Sequence, residues 1–358
     1  MNVVFTVQHP GHVHFFRHAI DELEAEGHET HVFARDEEIT VELLEAFDIP
    51  HEVIGGDAGS LASLAAVQFG FEYRLLRRAR RIDPDVMAAI GGVSVSHVAS
   101  LVGARSLAFT DTEHASLVNA LAHPFADAIY TPNCFTDDVG PKQVRYPGYH
   151  ELAYLHPDRF TPDPAVFEGL DARPDDRFVV IRLNGWDASH DVGESGLADV
   201  HETVDRLEAA GARVLITSEV PLPEELRRCR VDIDPRRIHD LLAYADLFVG
   251  EGATMAAESA VLGTPAVYVN SLRMGYTDEI DEEYGLLYNF PGEDRHEAAL
   301  DKAVEILQAG DQDRWERRRR RLLADKTDTT DVVLAAIRQG GSTDAGTTAG
   351  ERAKASSD

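Results

Sequence analysis

The chain has 358 residues, with 34 basic side chains against 63 acidic ones and a formal charge of −29. That excess repels polyanions and excludes a nucleic-acid-binding protein, which needs a net basic footprint. With 44% apolar and 27% charged residues the composition is globular, and the length suits about two domains of ordinary size.

Short apolar runs alternate with amphipathic segments from the first residue onward, the pattern of βαβ units and parallel sheets. Strands are predicted at Val3–Val7, Thr30–Phe33, Glu52–Ile54, Val86–Ile90, Leu107–Phe109 and Ala128–Tyr130. A helix over Phe15–Glu26 places Phe15, Phe16, Ala19, Ile20 and Leu23 on one face, and Gly27 closes it. From Phe178 the alternation restarts: strand Phe178–Ile181, helix Leu197–Ala210, strand Val214–Thr217, helix Arg236–Tyr244, strand Leu247–Val249, helix Thr254–Leu262, strand Ala266–Val269. Pro157, Pro162 and Pro164 crowd the connection between the two halves. The expected division is a first Rossmann-like domain over 1–155 and a second over 156–338, whose last helix can pack back on the first. A Gly, Ser, Thr and Ala tail over 339–358 is expected to be disordered. Two doubly wound parallel-sheet domains then face each other across a cleft, where ligands of open α/β sheets bind.

Cys134 and Cys229 lie 95 positions apart, which excludes a disulfide framework or a cysteine-built metal site. No signal peptide fits, because the first basic residue is Arg17. No stretch approaches the roughly 18 apolar residues of a membrane span. A cytoplasmic location is expected, with at most peripheral membrane contact. Only four of the basic residues are lysine (Lys142, Lys302, Lys326, Lys354). A surface of Asp, Glu and Arg suits molar salt, where a Debye length of about 3 Å at 1 M screens self-repulsion.

Four segments carry candidate chemistry. After the first strand, Gln8-His9-Pro10-Gly11-His12-Val13-His14 reads as a loop in which Gly11 lets backbone amides approach an anion or a sugar hydroxyl. It is not a G-x-G-x-x-G fingerprint, which disfavours a dehydrogenase. Its histidines lack a carboxylate at a metal-binding offset, so they read as polar lining of the cleft or as helix caps. Thr110-Asp111-Thr112-Glu113-His114 leaves a strand and opens a helix. Asp111 and Glu113 are candidate acid–base groups there, or cap and charge-match the helix start.

Further along, Arg182-Leu183-Asn184-Gly185-Trp186 follows the first strand of the second half. Arg182 offers a fork to phosphate, Asn184 suits a tight turn, and Trp186 with His190 can stack or hydrogen-bond in the cleft. Gly250-Glu251-Gly252-Ala253-Thr254 ends a strand and starts a helix, so the turn Gly252, Ala253 and Thr254 can hold a diphosphate through backbone amides. Glu258 lies about one turn further in, within reach of ribose hydroxyls, unless it is simply a surface carboxylate. Other signals carry less. Gly193-Glu194-Ser195-Gly196 lacks the spacing of a nucleophile elbow, Asp232-Ile233-Asp234 precedes a proline in a connecting loop, and Arg317–Arg321 reads as a solvated helix face.

Together these segments resemble the glycosyltransferase-B superfamily. Within it, roughly residues 1–338 resemble the family named domain of unknown function 354. The residues that carry the likeness are His9–Phe16, Gly27-His28, Asp111–His114, Gly148–Leu155 and Gly250–Glu258. Distant similarity to UDP-N-acetylglucosamine 2-epimerases and lipid-linked N-acetylglucosaminyltransferases implies a nucleotide-sugar site. By that likeness Glu258 falls on the ribose-binding glutamate and Gly252–Thr254 on the phosphate turn. The epimerase acid–base set is matched only at Glu113.

The expected function is metal-independent transfer of a sugar from a nucleotide sugar, by resemblance a UDP-sugar, to a glycan, lipid or small-molecule acceptor. No cofactor is expected. His12 or Glu113, near Asp111, would take the acceptor proton. Gly11, Arg182, Asn184, Gly252, Ala253, Thr254 and Glu258 would hold the nucleotide sugar. An epimerase or hydrolase of the 2-epimerase type, and a non-catalytic nucleotide-sugar-binding protein, stand as alternatives on the same scaffold.

Overall fold

The computed structural model describes residues 1–37, 39–56, 61–183, 200–218 and 221–341. Asn184, Trp186, His190, the Gly193–Gly196 segment and the tail beyond 341 lie outside the described residues. The first half runs β1 (Asn2–Val7), α1 (Pro10–Ala25), β2 (Glu29–Arg35), α2 (Thr40–Ala46), β3 (His51–Gly55), α3 (Leu61–Ile82), β4 (Val86–Ile90), α4 (Val93–Val102), β5 (Arg105–Phe109), α5 (Ser116–Ala122), β6 (Ala128–Pro132) and β7 (Gln143–Tyr146). The strands form one parallel sheet in the order β3-β2-β1-β4-β5-β6-β7. After the short α6 (Leu152–Leu155), the second half runs β8 (Phe178–Leu183), α7 (Val200–Ala209), β9 (Arg213–Ser218), α8 (Ile238–Tyr244), β10 (Leu247–Gly250), α9 (Ala253–Leu262), β11 (Ala266–Val269), α10 (Gly275–Glu279) and β12 (Leu287–Phe290). Its parallel sheet has the order β12-β11-β10-β8-β9.

The strands are apolar on both faces because helices cover both. On β1, Val3, Phe5 and Val7 join the core beneath α1, while Val4 points into a second cluster with Phe71, Leu75, Val95 and Val98 of α3 and α4. Each sheet's order reverses at one point, between β1 and β4 and between β8 and β10, so loops splay apart at the carboxyl ends there.

The last three helices, α11 (Arg295–Ala309), α12 (Gln312–Asp325) and α13 (Thr329–Gly340), complete the chain. α13 returns to the first half and packs on α1, α6, β4 and β5. Thr329 and Thr330 donate from Oγ1 to the carbonyls of Tyr149 and Ala153 at 2.6 and 2.7 Å. Arg159 fastens the crossover by pairing with Glu22, Asp328 and Asp331.

Local physics moves several boundaries. α1 starts at Pro10, five residues before the expected helix. His9 caps it, its Nδ1 accepting from Gly11 N at 3.1 Å, and Pro10 at the first helical position has no N–H to leave unpaired. Gly11, His12 and His14 therefore belong to the helix rather than to a loop. The helix expected from Arg236 begins as a 3-10 turn at Pro235 capped by Asp234, which also pairs with Arg236. The arginine run of α12 is only partly solvated. Arg319 Nε donates to the Val261 carbonyl at 3.0 Å, and Arg318 donates to the Gly285 carbonyl, so two of its five members hold helix ends. α13 extends to Gly340, into the segment expected as tail.

Candidate functional site

Two polar clusters and one open helix start gather at the carboxyl ends of the sheets. The first cluster forms where β1 and β5 end. Asp111, a candidate acid–base group or cap of the following helix, does not cap it: α5 begins only at Ser116 and no side chain caps it. Asp111 instead accepts from His150 Nδ1 at 2.9 Å and from Thr112 Oγ1 at 2.9 Å. Burial pushes the Asp111 carboxyl up. The His150 imidazole and these hydrogen bonds outweigh it and hold the carboxyl below its ordinary value.

His150 Nε2 is buried with no hydrogen-bond partner among the described residues, as are Glu151 Oε2 and the Tyr146 hydroxyl. Burial, with the Asp111 charge beside it, pushes the Glu151 carboxyl well up. His12 sits on the first turn of α1, its Nδ1 facing Gln8 N at 3.4 Å. Burial and the neighbouring His9 and His150 lower it to about 3, so it is a neutral imidazole. Asp111, its carboxyl held low, carries negative charge in this cluster.

The second cluster joins the two halves. Glu258 is neither a surface carboxylate nor open to a ligand. It is 5% exposed, and its Oε1 accepts from Tyr154 OH at 2.7 Å and faces His239 Nε2 at 2.9 Å. His14 stacks on Tyr154 and meets His239 edge-on, with ring centroids 5.2 and 4.8 Å apart. The Glu151 carboxyl also feels the charge of Glu258, so the two clusters adjoin.

Glu113 belongs to the domain contact. Its Oε1 accepts from Gly275 N, the first residue of α10, at 3.1 Å and from Thr136 N at 3.1 Å. A carboxylate placed on a helix start in this way is held by the unpaired amides and the helix dipole. An open groove of about 700 Å³ runs beside it, lined in part by Asn119, His123, Asp138 and Lys142.

The open helix start is that of α9. Gly252 is its N-cap and supplies no side chain, so the first-turn amides at Ala253 and Thr254 are not capped by it, and Thr254 is exposed. Gly250 is in register with Arg182 on β8, which puts the guanidinium's strand next to this turn. A Cβ at Gly250 would lie 2.6 Å from the Phe248 ring and 3.3 Å from the Arg182 carbonyl oxygen, so the strand end tolerates only glycine.

Of the residues singled out from sequence, the structure brings His12 and Asp111 together, puts Arg182 in register with Gly250, two residues before Gly252, Ala253 and Thr254, and moves Glu113 and Glu258 into interdomain hydrogen bonds. Gly11 serves as the donor to the His9 cap. Sequence reasoning missed His150, Glu151, Tyr154 and His239 as members of these clusters. The legible signal was the pair His150-Glu151 inside the apolar run Tyr149–Leu155, since two titratable groups buried together need partners. Among the described residues, no group of three or more His, Cys, Asp and Glu side chains has the arrangement of a metal site.

The sequence matches the family described as "Protein of unknown function (DUF354)" over residues 1–334. The chain belongs to the DUF354 family. A relative in Methanocaldococcus jannaschii, an uncharacterized protein, is 24% identical over 271 residues, 72% of this chain and 78% of its own. The DUF354 chain also shares its fold with solved structures. A UDP-GlcNAc 2-epimerase from Methanocaldococcus jannaschii, in complex with UDP-GlcNAc and UDP, superposes with TM-score 0.65 at 11% identity over 95% of this chain and 100% of that one. The glycosyltransferase VinC in complex with dTDP gives 0.64 at 16% identity over 95% and 99%. The spinosyn rhamnosyltransferase SpnG, complexed with spinosyn aglycone, gives 0.63 at 14% identity over 94% and 100%. The DUF354 fold is therefore glycosyltransferase-B-like, two parallel-sheet α/β domains of seven and five strands.

Proposed function

We propose that this DUF354 protein transfers a sugar from a nucleotide-sugar donor to an acceptor hydroxyl, with no metal ion in the chemistry. The observation that carries this reading is the Asp111–His150 pair, with Nε2 of the imidazole unpartnered, set at the carboxyl ends of one sheet while the other sheet presents the α9 start and Arg182. The structures of similar fold bound to UDP-GlcNAc and dTDP support the class of ligand.

In this reading the donor diphosphate lies on the Ala253 and Thr254 amides and on Arg182. Glu258 is sealed by Tyr154 and His239. It reaches a ribose only if one of those donors gives way, so the turn and Arg182 carry most of the nucleotide affinity. The proton acceptor is His150 rather than His12 or Glu113. Glu113 is committed to the α10 start, and a histidine at about 3 is too weak a base near neutral pH. Asp111 fixes the His150 tautomer with the proton on Nδ1 and leaves Nε2 bare. As the acceptor oxygen bonds to the anomeric carbon, its proton passes to Nε2. The bond to the diphosphate breaks, and the released electron pair stays on the phosphate oxygen, where the helix start and Arg182 stabilise it. The Asp111 carboxylate on Nδ1 stabilises the positive charge that develops on the ring as the proton arrives.

Calorimetry with UDP and dTDP, paired with turnover assays across acceptors, tests the proposal. Arg182→Ala should weaken nucleotide binding by about tenfold. His150→Ala should leave binding intact and lower kcat/KM by about 10² to 10⁴. Wild-type protein that binds neither nucleotide, or binding untouched by Arg182→Ala, sinks the reading. Conversion of UDP-N-acetylglucosamine to another sugar nucleotide without any acceptor would favour the epimerase alternative.

A further inference from the structure

Among the described residues, eleven large apolar side chains are exposed, and seven of them lie on α3, α4, α5 or the turn after α5. Phe69 is 74% exposed, Leu101 64% and Leu117 71%, and Tyr73, Leu121 and Phe125 are about half exposed. These three helices form one layer, with α4 packed against both neighbours. His97 of α4 ties them together: its Nδ1 faces Glu72 of α3 at 3.2 Å, its Nε2 lies 3.0 Å from the Leu121 carbonyl oxygen, and its ring meets Phe125 edge-on at 4.8 Å. The layer covers the second core cluster, on the opposite face of the sheet from α1 and α13. The apolar side chains are thus grouped on one outer helical layer, where exposed aromatic and aliphatic groups mark an interaction face.

The charge around the patch selects its partner. In a chain of −29, α3 continues past Phe69 and Tyr73 into Arg77, Arg80 and Arg81, all exposed. None of the three enters an ion pair among the described residues. Of the acids beside α3, Glu72 faces His97 and Glu52 pairs with Arg78. Aromatic side chains with unpaired arginines one or two helical turns away fit a surface that is apolar below and anionic above. No helix among the described residues is long and apolar enough to cross a membrane, so such contact is limited to the interface.

We propose that the α3–α4–α5 face docks peripherally on an anionic lipid bilayer, with Phe69, Tyr73 and Phe125 entering the headgroup region and Arg77, Arg80 and Arg81 meeting lipid phosphates. This is independent of the chemistry proposed above, whose assays use soluble nucleotides and residues outside these three helices.

Cosedimentation of the full chain with vesicles of phosphatidylcholine and phosphatidylglycerol, against phosphatidylcholine alone, tests it. Binding is expected to the anionic vesicles and to be weak on the neutral ones. Phe69→Ser and Phe125→Ser should each weaken it by about tenfold, at low and at high salt. Arg77→Glu and Arg80→Glu should each weaken it about fivefold at low salt, with the difference fading as salt screens the charges. All four positions are exposed, and an unchanged thermal midpoint confirms that the variants fold. No sedimentation with anionic vesicles, or binding indifferent to these variants, overturns the proposal. So does light scattering that finds a wild-type dimer and a monomeric Phe69→Ser, because the face then belongs to a second copy of the chain.

Discussion

The Glu151 carboxyl sits in an environment that opposes its charge. It is 2% exposed, and burial and the charges of Asp111 and Glu258 push it well above its ordinary value of 4.5. A group with a raised folded pKa binds more protons in the folded state. Its contribution is complete below the unfolded value and is lost as pH rises through the folded one, at a slope of about 1.4 kcal/mol per pH unit. Stability should therefore fall between pH 4.5 and the folded pKa, and Glu151→Gln should remove that slope. Urea denaturation at acid and neutral pH checks this: the variant should match the wild type near pH 4 and exceed it at pH 7 and above. Asp111 has the opposite sign, since its lowered pKa contributes stability that is lost only as pH falls below the ordinary carboxylate range.

At the scale of elements, the α10 start is where the two halves lock. A Cβ at Gly275 would lie 2.0 Å from the Cys134 carbonyl oxygen and 2.7 Å from Glu113 Oε1, so the helix approaches the β6–β7 connection as closely as backbone allows. Cys134 itself is partly buried, and its thiol is pushed up by that burial and by Glu279. Gly275→Val must displace backbone on one side or the other, at a cost of about 2 kcal/mol or more. The expected readout is a lower thermal midpoint with a larger radius of gyration in small-angle scattering. An unchanged radius would mean that the remaining contacts, such as Tyr154 to Glu258, hold the halves together without this one.

Across the whole molecule the net charge of −29 acts as a field rather than through pairs. Isolated surface ion pairs contribute little, whereas self-repulsion grows with the square of net charge and falls as salt shortens the Debye length from about 10 Å at 0.1 M to about 3 Å at 1 M. The thermal midpoint should rise on going from low to molar sodium chloride. A midpoint that is flat or falls would show that the acidic surface imposes no such strain. The same field opposes the anionic nucleotide of the proposed reaction, which there leaves the attraction to Arg182 and the α9 start.

Much of this was legible from residues alone, for stated reasons. Parallel strands buried on both faces read as short apolar runs, so β1, β4, β8 and β10 stand out within a residue or two. Gly252 followed by small residues reads as a helix start, and α9 begins at Ala253 with Gly252 as its N-cap. The four-residue β7 and β12 escaped notice because they are only partly buried and carry Gln143, Arg145 and Asn289 among their apolar residues. The α1 start was obscured because histidine is an uncommon cap. What only the tertiary structure decided is pairing across distance. Asp111 meets His150, Glu258 meets Tyr154 and His239, and Glu113 meets Gly275 because the two sheets and the returning α13 bring 39, 104 and 162 positions of chain separation to hydrogen-bond range. Sequence periodicity reports which face of an element is buried, and it holds no information about which distant carboxylate will share that burial.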